Sequence, residues 1–266
     1  MSRTKKPTPV LRAVGISKAS ATSTTSEFIF EDVSLSVYPG ELVSLKGFSD
    51  TAATALLNCL SGLGEPDGGS VFIGDRELTV MRESDRAELR QTHLGLVHGA
   101  SGLLPILTVA ENIELTLRLR GMPAAERHAR VDELLELVGL AGCSHQPPSE
   151  LPADQRWRVG IARAVANQPK VLLIHESEEG DSPASDELVN LLSDVVHDTQ
   201  VAAIFSTSDL RLIERADRVF EMHNGHLQGP ASGHVGKAVS PSNSQLGTSQ
   251  MIEVPTEIAN QSGRKA

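Results

Sequence analysis

The run Lys46-Gly47-Phe48-Ser49-Asp50-Thr51-Ala52-Ala53-Thr54-Ala55 has the layout of a phosphate-binding loop but little of its chemistry. A working loop reads G-x-x-x-x-G-K-[ST]. Its glycines let backbone N–H groups close around the phosphates, its lysine reaches the β and γ oxygens, and its hydroxyl holds Mg²⁺. Here Gly47 keeps the first position and Thr54 the last, while Ala52 stands in place of the second glycine and Ala53 in place of the lysine. Losing the lysine from contact with a triphosphate and gaining Asp50 beside it each weaken binding by about 3 kcal/mol, taking an effective dielectric near 20 and a separation of about 5 Å. Together that is roughly 10³- to 10⁵-fold in affinity.

Two elements must position such a loop. Glu41-Leu-Val-Ser-Leu-Lys46 is apolar enough for a buried strand, and Ala53-Thr-Ala-Leu-Leu-Asn-Cys-Leu-Ser-Gly62 has helical periodicity ending on glycine. The local plan is therefore strand, turn, helix. Pro66-Asp-Gly-Gly-Ser-Val-Phe-Ile-Gly74 then reads as a turn feeding a short strand. Further on, strand and helix patterns alternate, as in α/β nucleotide folds.

Beyond the loop, Tyr38-Pro-Gly-Glu-Leu42, Leu103-Leu-Pro-Ile-Leu-Thr-Val-Ala-Glu-Asn112, Pro148-Ser-Glu-Leu-Pro-Ala-Asp-Gln155 with Arg158-Val-Gly-Ile-Ala-Arg-Ala164, Val171-Leu-Leu-Ile-His-Glu176, Phe205-Ser-Thr-Ser-Asp-Leu210 and Arg215-Ala-Asp-Arg-Val219 occur in this order. In that order they resemble the motifs of the ATP-binding subunit of an ABC transporter, over residues 8–228. The resemblance implies a P-loop NTPase-like ABC nucleotide-binding domain of α/β class, with a helical lobe at about 100–165. The L-L-P-x-L-T and R-L-R-G segments lean towards the subunits that serve lipoprotein-export, macrolide-export and cell-division type permeases.

Departures from the family pattern fall where nucleotide would sit. Gly99 replaces the glutamine between the core and helical lobes, His175 the Mg²⁺ aspartate and Ser208 the switch histidine. In the signature, Leu151-Pro152-Ala153-Asp154-Gln155 stands for L-S-G-G-Q, and Ser17-Lys-Ala-Ser20 offers no aromatic to stack on adenine. Glu176, at the general-base position, survives. The signature helix would present its N-terminus to a partner's γ-phosphate, where Asp154 competes with that anion; Pro152 and Asp154 also suit helix initiation.

Composition limits the alternatives. With 266 residues, 39% of them hydrophobic, the chain can bury a sizeable core. A net charge of −10 and 3% aromatics speak against a nucleic-acid surface. No run reaches the about 18 apolar residues of a membrane span, and the N-terminus lacks an apolar signal core. Cys59 and Cys143 suit a reducing cytoplasm, the first as a small buried hydrophobe and the second as an incidental thiol. Residues 1–7 read as a loose arm, and the Ser-, Gly- and Pro-rich stretch 229–266 as a disordered tail, in which Met251-Ile-Glu-Val254 is a candidate docking strand. His98 and His175 lie near the former Mg²⁺ position, but no chelate spacing supports zinc, and His175 is expected to end a buried strand with a ring N–H satisfied locally.

Two helices, Val109–Arg120 and Ala124–Val138, should build the helical lobe; Val131, Leu134, Leu135 and Val138 form a core stripe on the second. Leu103, Leu104, Pro105 and Leu107 form an apolar run expected to be exposed, and the resemblance places it beside a permease groove. The expected function is a catalytically degenerate ABC subunit, a structural or regulatory partner of a permease or of an active ATPase in a homo- or heterodimer. It would work at the cytoplasmic face of the membrane, taking ATP and Mg²⁺ only if nucleotide binding remains. The alternatives are an ATPase working through Glu176 with unconventional ligands, and a free-standing interaction module.

Overall fold

The computed structural model describes residues 8–20, 28–98, 102–176 and 185–229. Two sheets carry it. The first is antiparallel, in the order β2-β1-β4-β5, from β1 (Leu11–Ala19), β2 (Phe28–Val37), β4 (Gly68–Ile73) and β5 (Arg76–Glu77). The second has the order β10-β9-β3-β8-β7-β6, from β3 (Leu42–Lys46), β6 (Leu94–His98), β7 (Val171–His175), β8 (Ala202–Ser206), β9 (Arg218–His223) and β10 (His226–Gln228). All its pairings are parallel except the β9–β10 hairpin.

The larger sheet is covered on both faces, which explains why β7 and β8 read as continuous apolar runs rather than alternating ones. Along β7, Leu172 and Ile174 join one core with Val109, Ile113, Leu134 and Trp157. Val171 and Leu173 face the other core, with Leu11, Phe30, Leu56 and Leu60. The first core belongs to the helical side: α3 (Val109–Leu119), α4 (Ala124–Leu137), α5 (Ala153–Val165) and α6 (Asp186–Thr199). The second joins the antiparallel sheet to α1 (Asp50–Ser61); α2 (Glu83–His93) contributes Leu89 to it, and α7 (Leu210–Arg215) lies between β8 and β9.

The helical lobe follows its expected pattern to within a residue at each C-terminus, and Val131, Leu134, Leu135 and Val138 are all buried. α3 starts on a capping box that the sequence announces in Thr108-Val-Ala-Glu111: the Thr108 hydroxyl accepts from the Glu111 N–H, and the Glu111 carboxylate accepts from the Thr108 N–H. Gly95 in β6 is required by packing, since a Cβ there would stand 2.4 Å from the Ala164 carbonyl oxygen of α5. Gly99, residues 1–7 and the stretch 230–266 with Met251–Val254 lie outside the described residues. Among the described residues no helix is long and apolar enough to cross a membrane.

Candidate functional site

Parallel strands β3, β7, β8 and β6 end on the same edge of the sheet, where an open α/β sheet offers its binding crevice. The chain after β3 turns at Gly47, whose φ of +75° is a left-handed conformation; a Cβ there would also sit 3.2 Å from the Met222 carbonyl oxygen. Lys46 does not take the place of the missing lysine, because its ammonium pairs with Glu221 of β9 at 3.1 Å.

The sequence reading starts the following helix at Ala53. In the structure α1 starts three residues earlier, at Asp50. Ser49 is its N-cap: the Ser49 hydroxyl accepts from the Ala52 N–H at 3.2 Å, and the Ser49 carbonyl accepts from the Ala53 N–H at 2.9 Å. Ala52 and Ala53 are buried. The reason is local: with alanines where a loop would carry glycine and lysine, helix propensity and a serine cap both favour one more turn. Two amides of the phosphate-loop positions thereby point into the helix's own hydrogen bonds.

His175 ends β7 as expected and is buried. Its Nε2 lies 3.0 Å from Asp50 Oδ1 and 3.3 Å from Thr54 Oγ1. Facing a carboxylate, which only accepts, Nε2 carries the proton. Asp50 and Thr54 are four residues apart on α1 and so share a face. The expectation that a ring N–H is satisfied locally holds at Nε2; the other ring nitrogen, Nδ1, is buried without a hydrogen-bond partner among the described residues. His98 is the register partner of His175 on β6; burial, and then the charges of His175 and Arg163, push its pKa down. No group of three or more His, Cys, Asp or Glu among the described residues could hold a metal ion.

Glu176 follows β7, its N–H bonded to the Ser206 carbonyl. Its carboxylate accepts a short hydrogen bond from the Thr207 hydroxyl, and Thr207 Oγ1 in turn accepts from the Asp209 N–H at 2.8 Å. Ser208, at the switch position, is exposed, whereas its neighbour Thr207 is buried. Thr207 is thus a residue of this loop that touches Glu176, and sequence reasoning passed over it. Of Ser17–Ser20, Lys18 is committed to Asp67 and to the Glu65 carbonyl.

The signature segment lies apart, at the start of α5. Pro152 is the N-cap and supplies no side-chain cap. The Asp154 carboxylate, expected to compete with an anion for the donors of its own helix N-terminus, is held by other donors in the structure. Its carboxylate accepts from Arg158 Nε at 2.8 Å and from the hydroxyl of Ser185, the N-cap of α6. Gln155 and Ala153 are half-buried and Leu151 is buried.

The apolar run before α3 also differs from its expected exposure. Leu103 is buried in the lobe core and Leu107 is half-buried, while Leu104, Pro105 and Ile106 face outward, Ile106 at 89% exposure. The cause is Asn112, fully buried, whose Oδ1 accepts from the Leu104 N–H and whose Nδ2 donates to the carbonyls of Leu104, Leu107 and Thr108. A lone Asn on an apolar helix face was the available signal.

A family model described as ABC transporter matches residues 30–178. The chain belongs to the ABC transporter family. The "Lipoprotein-releasing system ATP-binding protein LolD" of Nitrobacter winogradskyi is 33% identical over 228 residues, which cover 85% of this chain and 98% of that one. The "Methionine import ATP-binding protein MetN" of Geobacillus kaustophilus is 37% identical over 199 residues; these cover 74% of this chain but 58% of MetN, so the ABC chain spans little more than half of that relative. Among solved structures, the dimeric bacterial ABC transporter cassette MJ0796 superimposes with a TM-score of 0.74 at 25% identity, covering 82% of this chain and 96% of that one. The fold of an ABC cassette is thereby established for this chain.

Proposed function

We propose that this ABC cassette is a non-hydrolysing subunit of a transporter, a structural or regulatory partner of a permease and of a conventional ATPase with which it dimerises. The observation that carries the reading is the Asp50–His175–Thr54 contact. A carboxylate and an imidazole are paired where the motif would place phosphate oxygens, Mg²⁺ and its ligands. Mg·ATP does not fit residues so disposed. The phosphate-loop amides of Ala52 and Ala53 are bonded to Ser49, the lysine is Ala53, and Asp50 adds a negative charge beside the triphosphate position. Phosphoryl transfer depends on positioning and on charge stabilisation by lysine and metal, so Glu176 alone cannot sustain it.

The partner side of the proposal rests on what is retained. Full-length similarity to a lipoprotein-releasing subunit supports a role in an exporter of that kind, and the outward Leu104, Pro105 and Ile106 offer an apolar surface on the helical lobe for a membrane subunit. On this reading the protein works at the cytoplasmic face of a membrane, held there by its permease. Calorimetric titration of the purified protein with MgATP tests the central point. No saturation is expected up to about 1 mM nucleotide, because the charge changes leave an affinity of roughly millimolar or weaker; a saturable isotherm in the micromolar range would overturn it.

A further inference from the structure

We infer that the Asp50–His175 contact is an autoinhibitory latch: His175 serves as an internal occupant of the cation position and holds the former phosphate loop in its helical form without any ligand. The inference deepens the proposed function, and rests on it for the meaning of "former". Its geometry stands by itself. His175 is fixed from below, as the last residue of β7, a central strand hydrogen-bonded on both sides by β6 and β8. From that fixed point its Nε2 reaches the first residue of α1 and the residue one turn later, at 3.0 and 3.3 Å. One ring nitrogen therefore ties the helical form of residues 50–54 to the sheet. An acid at Asp50 would pair with any cation; here the cation-like donor is part of the chain and cannot dissociate.

The arrangement also accounts for a residue-level oddity. His175 leaves Nδ1 buried and unpartnered among the described residues, an arrangement that is unfavourable by itself. The contact of Nε2 with Asp50 and Thr54 offsets it. A second internal pair acts on the neighbouring strand end, where Thr207 donates to Glu176. The two pairs hold α1, β7 and the segment after β8 together through side chains of this chain alone, so the cleft's conformation should not respond to nucleotide.

Hydrogen exchange on the full-length protein, followed by mass spectrometry over a peptide containing residues 47–57, reads the latch directly. In the wild type the first turn of α1 should exchange at the same rate with and without 5 mM MgATP. His175→Ala should raise that rate on the order of tenfold. Asp50→Ala removes a favourable first-turn carboxylate as well as the contact, so the decisive comparison is in the His175→Ala background: there the added effect of Asp50→Ala should fall below about twofold. Independent, multiplicative effects of the two substitutions would overturn the latch, as would an unchanged rate in His175→Ala. Should His175→Ala not fold, His175→Asn, too short to reach Asp50, takes its place in the same cycle with the same two outcomes. Steady-state ATP hydrolysis by the wild type would sink the non-hydrolysing reading separately, leaving the exchange cycle to decide the latch.

Discussion

At the scale of single residues, several polar side chains in and around the family motifs make contacts within the chain. Asp50 meets His175, Glu176 meets Thr207, Lys46 meets Glu221 and Asp154 meets Arg158 and Ser185. Asp50, His175, Glu176 and Asp154 are positions where the resemblance would put a group facing nucleotide, metal or a partner's phosphate, and each has a partner within the chain. Glu176 is the informative case, because its identity is that of a general base while its carboxylate accepts the Thr207 hydroxyl. We expect ATP hydrolysis by the isolated protein to stay at background and Glu176→Gln to leave that rate unchanged. The amide oxygen of Gln still accepts from Thr207, so thermal stability should move by less than about 1 kcal/mol. A steady-state phosphate-release assay decides: a rate that Glu176→Gln abolishes would mean an active enzyme.

At the scale of elements, the helical lobe depends on two buried polar residues of α3. Asn112 donates to three carbonyls in the turn ahead of the helix, of which Leu104 and Thr108 also accept a backbone N–H, and accepts from the Leu104 N–H, so it fixes which of the preceding apolar residues face outward. Asn112→Ala should destabilise the protein by about 2–3 kcal/mol through unsatisfied backbone groups, seen as a lower midpoint in urea with an unchanged slope. Glu114 is also buried, bonded to Arg118 at 2.9 Å and Arg127 at 2.7 Å, and those two guanidinium groups hold its carboxyl below the ordinary range. A lowered carboxylate pKa contributes stability that is full above the unfolded value near 4.5 and fades as pH falls through the folded value. Glu114→Gln should therefore lower stability at pH 7, and the gap between variant and wild type should narrow as pH falls below about 4.5 in denaturation curves. A gap independent of pH would show that packing, not charge, is at stake.

At the scale of the whole molecule, the question is which surface carries an interaction. The sheet edge is self-satisfied, whereas the outer side of the helical lobe leaves Leu104 at 41% and Ile106 at 89% exposure. Burying a side chain of this size in a partner is worth roughly 1.5–3 kcal/mol. Leu104→Asp with Ile106→Asp should therefore release the protein from membranes containing its permease, without changing its thermal midpoint, since neither side chain is core. Membrane flotation checks the prediction: a folded double variant that still floats with the membranes would move the docking surface elsewhere. Leu103 is not a useful target for the same purpose, because its side chain belongs to the lobe core.

The sequence by itself determined the family, the order of strands and helices around the loop, the helical-lobe stripe, and the positions from which the usual chemistry is missing. These are legible because they depend on local spacing: Gly47 seven residues before Thr54, four apolar residues before His175, an i, i+3, i+4, i+7 stripe on α4. The capping box at Thr108 and Glu111 was equally local and readable. What the tertiary structure decided was the fate of the leftover groups. His175 lies 121 positions from Thr54 along the chain and Asp154 lies 31 from Ser185, so nothing in local pattern brings them together. The extra turn at Asp50–Ala52 is intermediate: Ser49 and the alanines favour it locally, but His175, delivered by the parallel register of β7 between β6 and β8, supplies the contact that fixes it in place. Exposure of the apolar run was likewise settled from a distance, by one buried Asn112 that turns Leu103 inward and leaves Leu104 and Ile106 facing out.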